Sequence, residues 1–133
     1  MSEKPLFEIE QFVSFSEADP AGIVFFANTF NYAHKALELF KASQKSWDGW
    51  FNDPKVGWPL RHAEAEFFAP IRVGRYIKTV LYLDKQGNNS ICFRCMIYQE
   101  IPQAKVADAA GDEPPLKEIL CATVKTVHVQ VVR

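Results

Sequence analysis

From Phe7 to Phe15 the apolar residues fall on odd positions, Phe7, Ile9, Val13 and Phe15, while Glu8, Glu10 and Ser14 take the other face. A period of two predicts a strand with one side buried. Ser16 to Gly22 breaks the alternation with turn residues. Beyond Gly22 the period lengthens. Phe26, Phe30, Ala33, Leu37 and Phe40 recur three and four apart, and Ala36 and Leu39 widen the stripe. This spacing predicts one long helix over about residues 25–43, apolar on much of its circumference.

Asp48-Gly49, Asn52-Asp53-Pro54 and Gly57 then punctuate a loop, and the remaining pattern is again of period two. Ala63, Ala65, Phe67 and Ala69 alternate with His62, Glu64, Glu66 and Phe68 until Pro70. Ile77, Thr79, Leu81 and Leu83 form one face of the next strand. The turn Gln86-Gly87-Asn88-Asn89 leads into Ile91, Phe93, Cys95 and Ile97, a hairpin signal. Residues 102–115 read as a long exposed loop, and Ile119 to Val132 as a last strand. Its apolar positions change parity near Lys125, which predicts a bulge or a change of burial there. The order is strand, helix, four strands: an α+β domain. A mostly antiparallel five-stranded sheet must curl around a helix that water cannot cover. Such an open sheet keeps a free edge, so a second copy is the expected partner.

With 133 residues, 48% of them hydrophobic, the chain is sized for a single domain over residues 1–133. A net charge of −1, with Lys and Arg scattered, lacks the basic face that nucleic-acid binding needs. No apolar run reaches the ~20 residues of a membrane span, and MSEKPLFEIE lacks a signal-peptide core. The expectation is a soluble, cytoplasmic protein. Cys92 and Cys95 form a C-x-x-C, but on a strand residues three apart face opposite ways, so a shared metal or redox pair is not expected. His34, His62 and His128 show no metal-ligand spacing.

The chemistry concentrates at the strand-to-helix junction. A helix start presents N–H groups without internal partners and a partial positive charge, which suits an oxyanion. Gly22 permits a positive φ or a close approach to the backbone. Asp19, a few residues upstream, offers a carboxylate to the same spot, a sensible arrangement for acyl transfer. Asp-Pro before a helix also serves as a plain turn or cap, and the residues alone leave both readings open.

Asp19-Pro20-Ala21-Gly22-Ile23-Val24-Phe25-Phe26-Ala27-Asn28 resembles the motif that precedes the central helix in the 4-hydroxybenzoyl-CoA thioesterase family of the hotdog superfamily. A second stretch, Ala63 to Gly74, resembles the strand and turn that follow that helix. The resemblance implies the hotdog fold and hydrolysis of an acyl-CoA thioester with no metal or organic cofactor. It implies that Asp19 acts as nucleophile or general base and that the Phe26 backbone N–H polarises the thioester carbonyl. Gly22 and Val24 would shape the turn, Asn28 would pin the helix start, and active sites would lie at the interface of a homodimer or of a tetramer built from dimers. Aromatic-specific members carry a helix carboxylate for a substrate hydroxyl, and His34 stands at that place here. Gly74-Arg75 replaces the family's Gly-Asp, and Lys85 stands nearly alone where some members cluster basic residues for the CoA phosphates.

Other residues carry two readings each. His34 either borders the pocket or is a surface histidine. His62 and Glu64 share a strand face with Glu66, as solvated faces do, yet the second stretch adjoins the site in relatives, so both remain substrate-contacting candidates. Val24 and Asn28 join them. His128, among valines, reads as structural. Trp47, Trp50 and Trp58 read as packing, or as flat apolar lining for an acyl group. The expected substrate is an aromatic or short acyl-CoA, such as hydroxybenzoyl-CoA or 1,4-dihydroxy-2-naphthoyl-CoA. A hydratase or dehydratase and a non-catalytic acyl-CoA-binding module are the alternatives.

Overall fold

A computed structural model describes residues 3–24, 26–44, 53–103 and 114–132. Strand β1 (Phe7–Phe12) is followed by a 3-10 turn over Phe15–Glu17 and by helix α1 (Ala27–Ser43). Then come β2 (Val56–Gly57), β3 (Leu60–Phe67), β4 (Tyr76–Gln86), β5 (Ser90–Pro102), β6 (Leu116–Val129) and β7 (Val131–Val132). Five strands make one antiparallel sheet in the order β1-β4-β5-β6-β3. Because β1 and β3 lie at opposite edges, the chain between them must cross the sheet, and α1 makes that crossing. The short β2 and β7 pair separately.

The helix buries Thr29, Tyr32, Ala33, Ala36, Leu37 and Lys41. Opposite them, Ile91, Phe93, Cys95, Ile97, Gln99 and Ile101 on β5 are buried in strict alternation, and Ile77, Thr79 and Leu81 on β4 are buried with Val80 between them. Each large apolar side chain fully buried here contributes roughly 1.5–3 kcal/mol. Cys92 takes the outer face of β5 while Cys95 is buried, and both are free thiols. The outer face is polar: Arg94 pairs with Asp84 at 3.3 Å and with Glu3, and Lys78 with Glu118 at 2.9 Å.

Four details depart from the pattern. Strand β1 ends at Phe12, and Phe15 lies in the 3-10 turn with its ring exposed, because Ser14 caps that turn in a capping box with Glu17. The irregularity of β6 is not at Lys125 but where Cys121 is inserted between the partners of Ile97 and Tyr98. Cys121 and Ala122 are consequently both buried, while across Lys125 the buried positions stay even, Val124 and His128, and the apolar Val127 and Val129 fall on the less buried face, the change of burial expected there. Third, the stretch read as one strand to Val132 breaks at Gln130, whose N–H donates to Asn89 O at 2.8 Å. Fourth, Val56–Gly57, read as loop, pairs with the resulting β7. Of the predicted 102–115 loop, residues 104–113 lie outside the described residues, as do Phe25, Trp47 and Trp50.

Candidate functional site

The segment between β1 and α1 is folded by its own backbone. Asp19 N–H donates to Ile23 O at 2.8 Å, Gly22 N–H donates to Asp19 O at 3.0 Å, and Ala18 and Val24 form an antiparallel bridge. Gly22 sits at φ +80, and a Cβ there would meet nothing within 4 Å. Its glycine is therefore required by backbone conformation and not by close approach. Ala21 N–H donates to Asp19 Oδ1 at 2.9 Å, so one oxygen of this carboxylate caps the turn.

The turn is then fastened to the molecule. Ile23 bridges Arg72, and Val24 N–H donates to Ile71 O at 2.8 Å. The 70–75 loop is held in turn by Gln99, 1% exposed on the inner face of β5. Its Oε1 accepts from Arg72 N–H at 2.8 Å and its Nε2 donates to Arg72 O at 2.9 Å. Asn28 Nδ2 donates to Glu17 O at 3.0 Å, pinning the start of α1 to the 3-10 turn. Burial, together with the nearby Glu17 carboxylate, raises the Tyr32 phenol well above its ordinary range.

Helix α1 begins after Phe26, and among the described residues no side chain caps it. Its first turn carries no acidic residue. Beside it opens a pocket of about 540 Å3, with Asp19, Val24, Phe26 and Thr29 on one side and Phe67 and Phe68 on the other. The structure thus brings Asp19, Val24 and Phe26 to one cavity, with Gly22 shaping the turn behind them and Asn28 in the first turn of the helix. It does not bring His34, His62 or Glu64 to that cavity. His34 is exposed further along α1, on a second cavity shared with Trp58 and His128. His62 and Glu64 lie on β3 opposite Val127 and Lys125, on the sheet face turned away from α1. Gln99 was missed by sequence reasoning. The signal was present: it continues the buried odd positions of β5 as the one polar member between Ile97 and Ile101.

The thioesterase-like superfamily profile matches residues 13–132, nearly the whole chain and both stretches of the site. The chain belongs to that superfamily. A 1,4-dihydroxy-2-naphthoyl-CoA hydrolase of Nostoc punctiforme is 34% identical over 82 residues, 61% of this chain and 55% of that protein, so the match spans little more than half of the relative. The enzyme of the same name from Picosynechococcus is 26% identical over 120 residues, 90% of this chain and 75% of that protein. Among solved structures, a 1,4-dihydroxy-2-naphthoyl-CoA thioesterase from Synechocystis superposes with a TM-score of 0.73 at 25% identity, covering 95% of this chain and 82% of that one. A 4-hydroxybenzoyl-CoA thioesterase from Pseudomonas shares the fold at 14% identity, with a TM-score of 0.73 over 95% and 90% of the two chains. The superfamily member described here therefore has the hotdog fold, with α1 as its central helix.

Proposed function

We propose that this chain hydrolyses the thioester of an acyl-CoA whose acyl group is aromatic or short. The observation that supports this most is the meeting of the Asp19 carboxylate and the N-terminus of α1 on one pocket. Attack on the thioester carbonyl carbon, by Asp19 or by a water that Asp19 deprotonates, moves an electron pair onto the carbonyl oxygen. The Phe26 N–H and the helix dipole stabilise that oxyanion, which collapses to expel the CoA thiolate. Direct attack leaves an acyl-aspartyl anhydride that a water then opens. General-base attack gives the acid in one stage.

The names of the relatives favour 1,4-dihydroxy-2-naphthoyl-CoA or a hydroxybenzoyl-CoA as substrate. The working form is a homodimer or a homotetramer built as a dimer of dimers. In support, β3 is a sheet edge, with Leu60, Phe67 and Phe68 each at least half exposed along or just beyond it. Among the described residues no helix is long and apolar enough to cross a membrane, and with three free thiols the reading is of a protein of the cytoplasm.

Thiol release from a panel of acyl-CoAs, by the wild type and by Asp19→Asn, tests the reading. Loss of about 10²–10⁴-fold in kcat with binding retained is expected. A second reading, an acyl-CoA-binding module, draws on the bond from Ala21 N–H to Asp19 Oδ1, which makes Asp19 a turn cap. It predicts binding without turnover in both proteins.

A further inference from the structure

Along the groove between α1 and β3 lies a second cavity, of about 330 Å3. It shares no lining residue with the pocket that holds Asp19. Strand β3 gives Leu60 to the one and Phe67 to the other, roughly 20 Å apart along the strand. Ala33, Leu37 and Leu81 supply apolar walls. His34, Lys41 and His128 are its basic groups, and no carboxylate is among the described residues that line it. The Cys95 thiol also lines it and is neutral, burial pushing it up to about 12. Lys41 is 5% exposed. Burial lowers its pKa to about 8, so it is still an ammonium at neutral pH. His128 is 6% exposed, and its Nδ1 lies 3.4 Å from Trp58 O. A carbonyl oxygen only accepts, so Nδ1 carries the ring proton in that contact, and Nε2 of the neutral ring is left as an acceptor. That Nε2 is buried and has no hydrogen-bond partner among the described residues. Burial, with Lys41 and His34 close by, lowers the pKa of His128 and keeps the ring neutral.

A buried acceptor without a donor costs stability and is retained where something else satisfies it. A ligand in this cavity must bring Nε2 a proton, offer negative charge to Lys41, and fill an apolar space of roughly eleven water volumes. An alcohol brings the proton and the apolar body but no charge. Inorganic phosphate brings a proton and charge but no apolar body. A carboxylic acid with a small apolar body meets all three conditions. Its proton sits either on the carboxyl oxygen or on Nε2, and one hydrogen bond joins them in both cases. The second oxygen accepts from the Lys41 ammonium, whose three protons leave room for it beside a partner within the protein. We propose that this cavity is a second ligand site, separate from the Asp19 pocket, for a small apolar carboxylic acid held between His128 Nε2 and the Lys41 ammonium. The inference goes beyond the hydrolase reading and stands without it.

The probes are benzoate and octanoate, with methyl benzoate as a control that brings neither proton nor charge. At about pH 7.5 the free acid is ionised and Nε2 is bare, so binding draws one proton from solvent and weakens as pH rises. Calorimetry in two buffers of different ionisation heat is expected to show one acid bound per chain, with uptake approaching one proton. Ligands of this size are expected to have a Kd of about 0.1–1 mM, and the ester to bind roughly tenfold more weakly. Saturating phenacyl-CoA, a non-hydrolysable thioether, is expected to leave the acid's affinity within about twofold, as independent sites require. His128→Phe keeps an aromatic ring against Phe93 (centroids 5.9 Å apart). It is expected to abolish the proton uptake and to weaken binding roughly tenfold to a hundredfold. Lys41→Met is expected to weaken binding similarly with the uptake retained, and it serves also if the Phe variant fails to fold. No binding of either acid, or binding without proton uptake, overturns the proposal. So does displacement by phenacyl-CoA, which would put the acid in the catalytic pocket. Failure of phenacyl-CoA itself to bind would instead sink the acyl-CoA reading and leave the acid site standing.

Discussion

Replacing Gln99 by Leu separates the scaffold from the chemistry. Gln99 touches neither Asp19 nor Phe26. Its two bonds to Arg72, at 2.8 and 2.9 Å, hold the loop against which Ile23 and Val24 are docked. A net gain of about 1 kcal/mol per bond puts the loss near 2 kcal/mol. Arg72 is exposed, so water can recover its freed N–H and carbonyl, and Leu regains some apolar burial. The expected net cost is therefore about 1–2 kcal/mol. Urea unfolding is expected to show a lower midpoint at unchanged m. The amide of Val24, which donates to Ile71 O, is expected to exchange faster than the sheet core does. Turnover of a thioester substrate is expected to fall by more than global unfolding explains, since the Asp19 turn loses its support. Gln99→Glu sharpens the test: it keeps the acceptor for Arg72 N–H but sets a carboxylate oxygen against Arg72 O. If Gln99→Leu costs under about 0.5 kcal/mol and Val24 protection is unchanged, the clamp does not act as described.

Gly22→Ala forces a Cβ into φ +80 with no steric conflict nearby, so a destabilisation of about 1 kcal/mol by thermal melting is expected, and a stabilised variant would contradict it. Burial lowers Lys41 from 10.5 to about 8. Between those values the unfolded chain binds the extra proton, so stability rises with pH across about 8–10.5 and the penalty is complete below 8. In urea titrations at pH 7 to 10 the wild type is expected to gain relative to Lys41→Met, and parallel curves would refute the burial argument.

Much of the fold was legible because burial imposes a period. Ile91, Phe93, Cys95 and Ile97 on β5, and Ala33, Ala36 and Leu37 on α1, are inside because the 2.0 and 3.6 repeats put them there. The Asp19–Asn28 stretch was legible as a motif, and its turn has the positive φ that Gly22 allows. What escaped was set by partners distant in sequence. The insertion at Cys121 depends on register against β5, β2 exists only because β7 lies beside it, and the role of Gln99 needs a loop 27 residues away. His128, read as structural, packs as expected against Phe93, but its open acceptor appears only once Trp58 O fixes the tautomer.

The free edge of β3 also bears on how the chain survives before it finds a partner. An unpaired strand edge flanked by Leu60, Phe67 and Phe68 is a template for any other extended chain. On its outer face His62, Glu64 and Glu66 alternate with apolar neighbours, and like charges on both chains oppose stacking in the wrong register. These side chains therefore have a use during biosynthesis that no turnover assay registers. Neutralising Glu64 and Glu66 together would leave catalysis nearly untouched while shifting newly made chains toward aggregation, most visibly at high expression and elevated temperature.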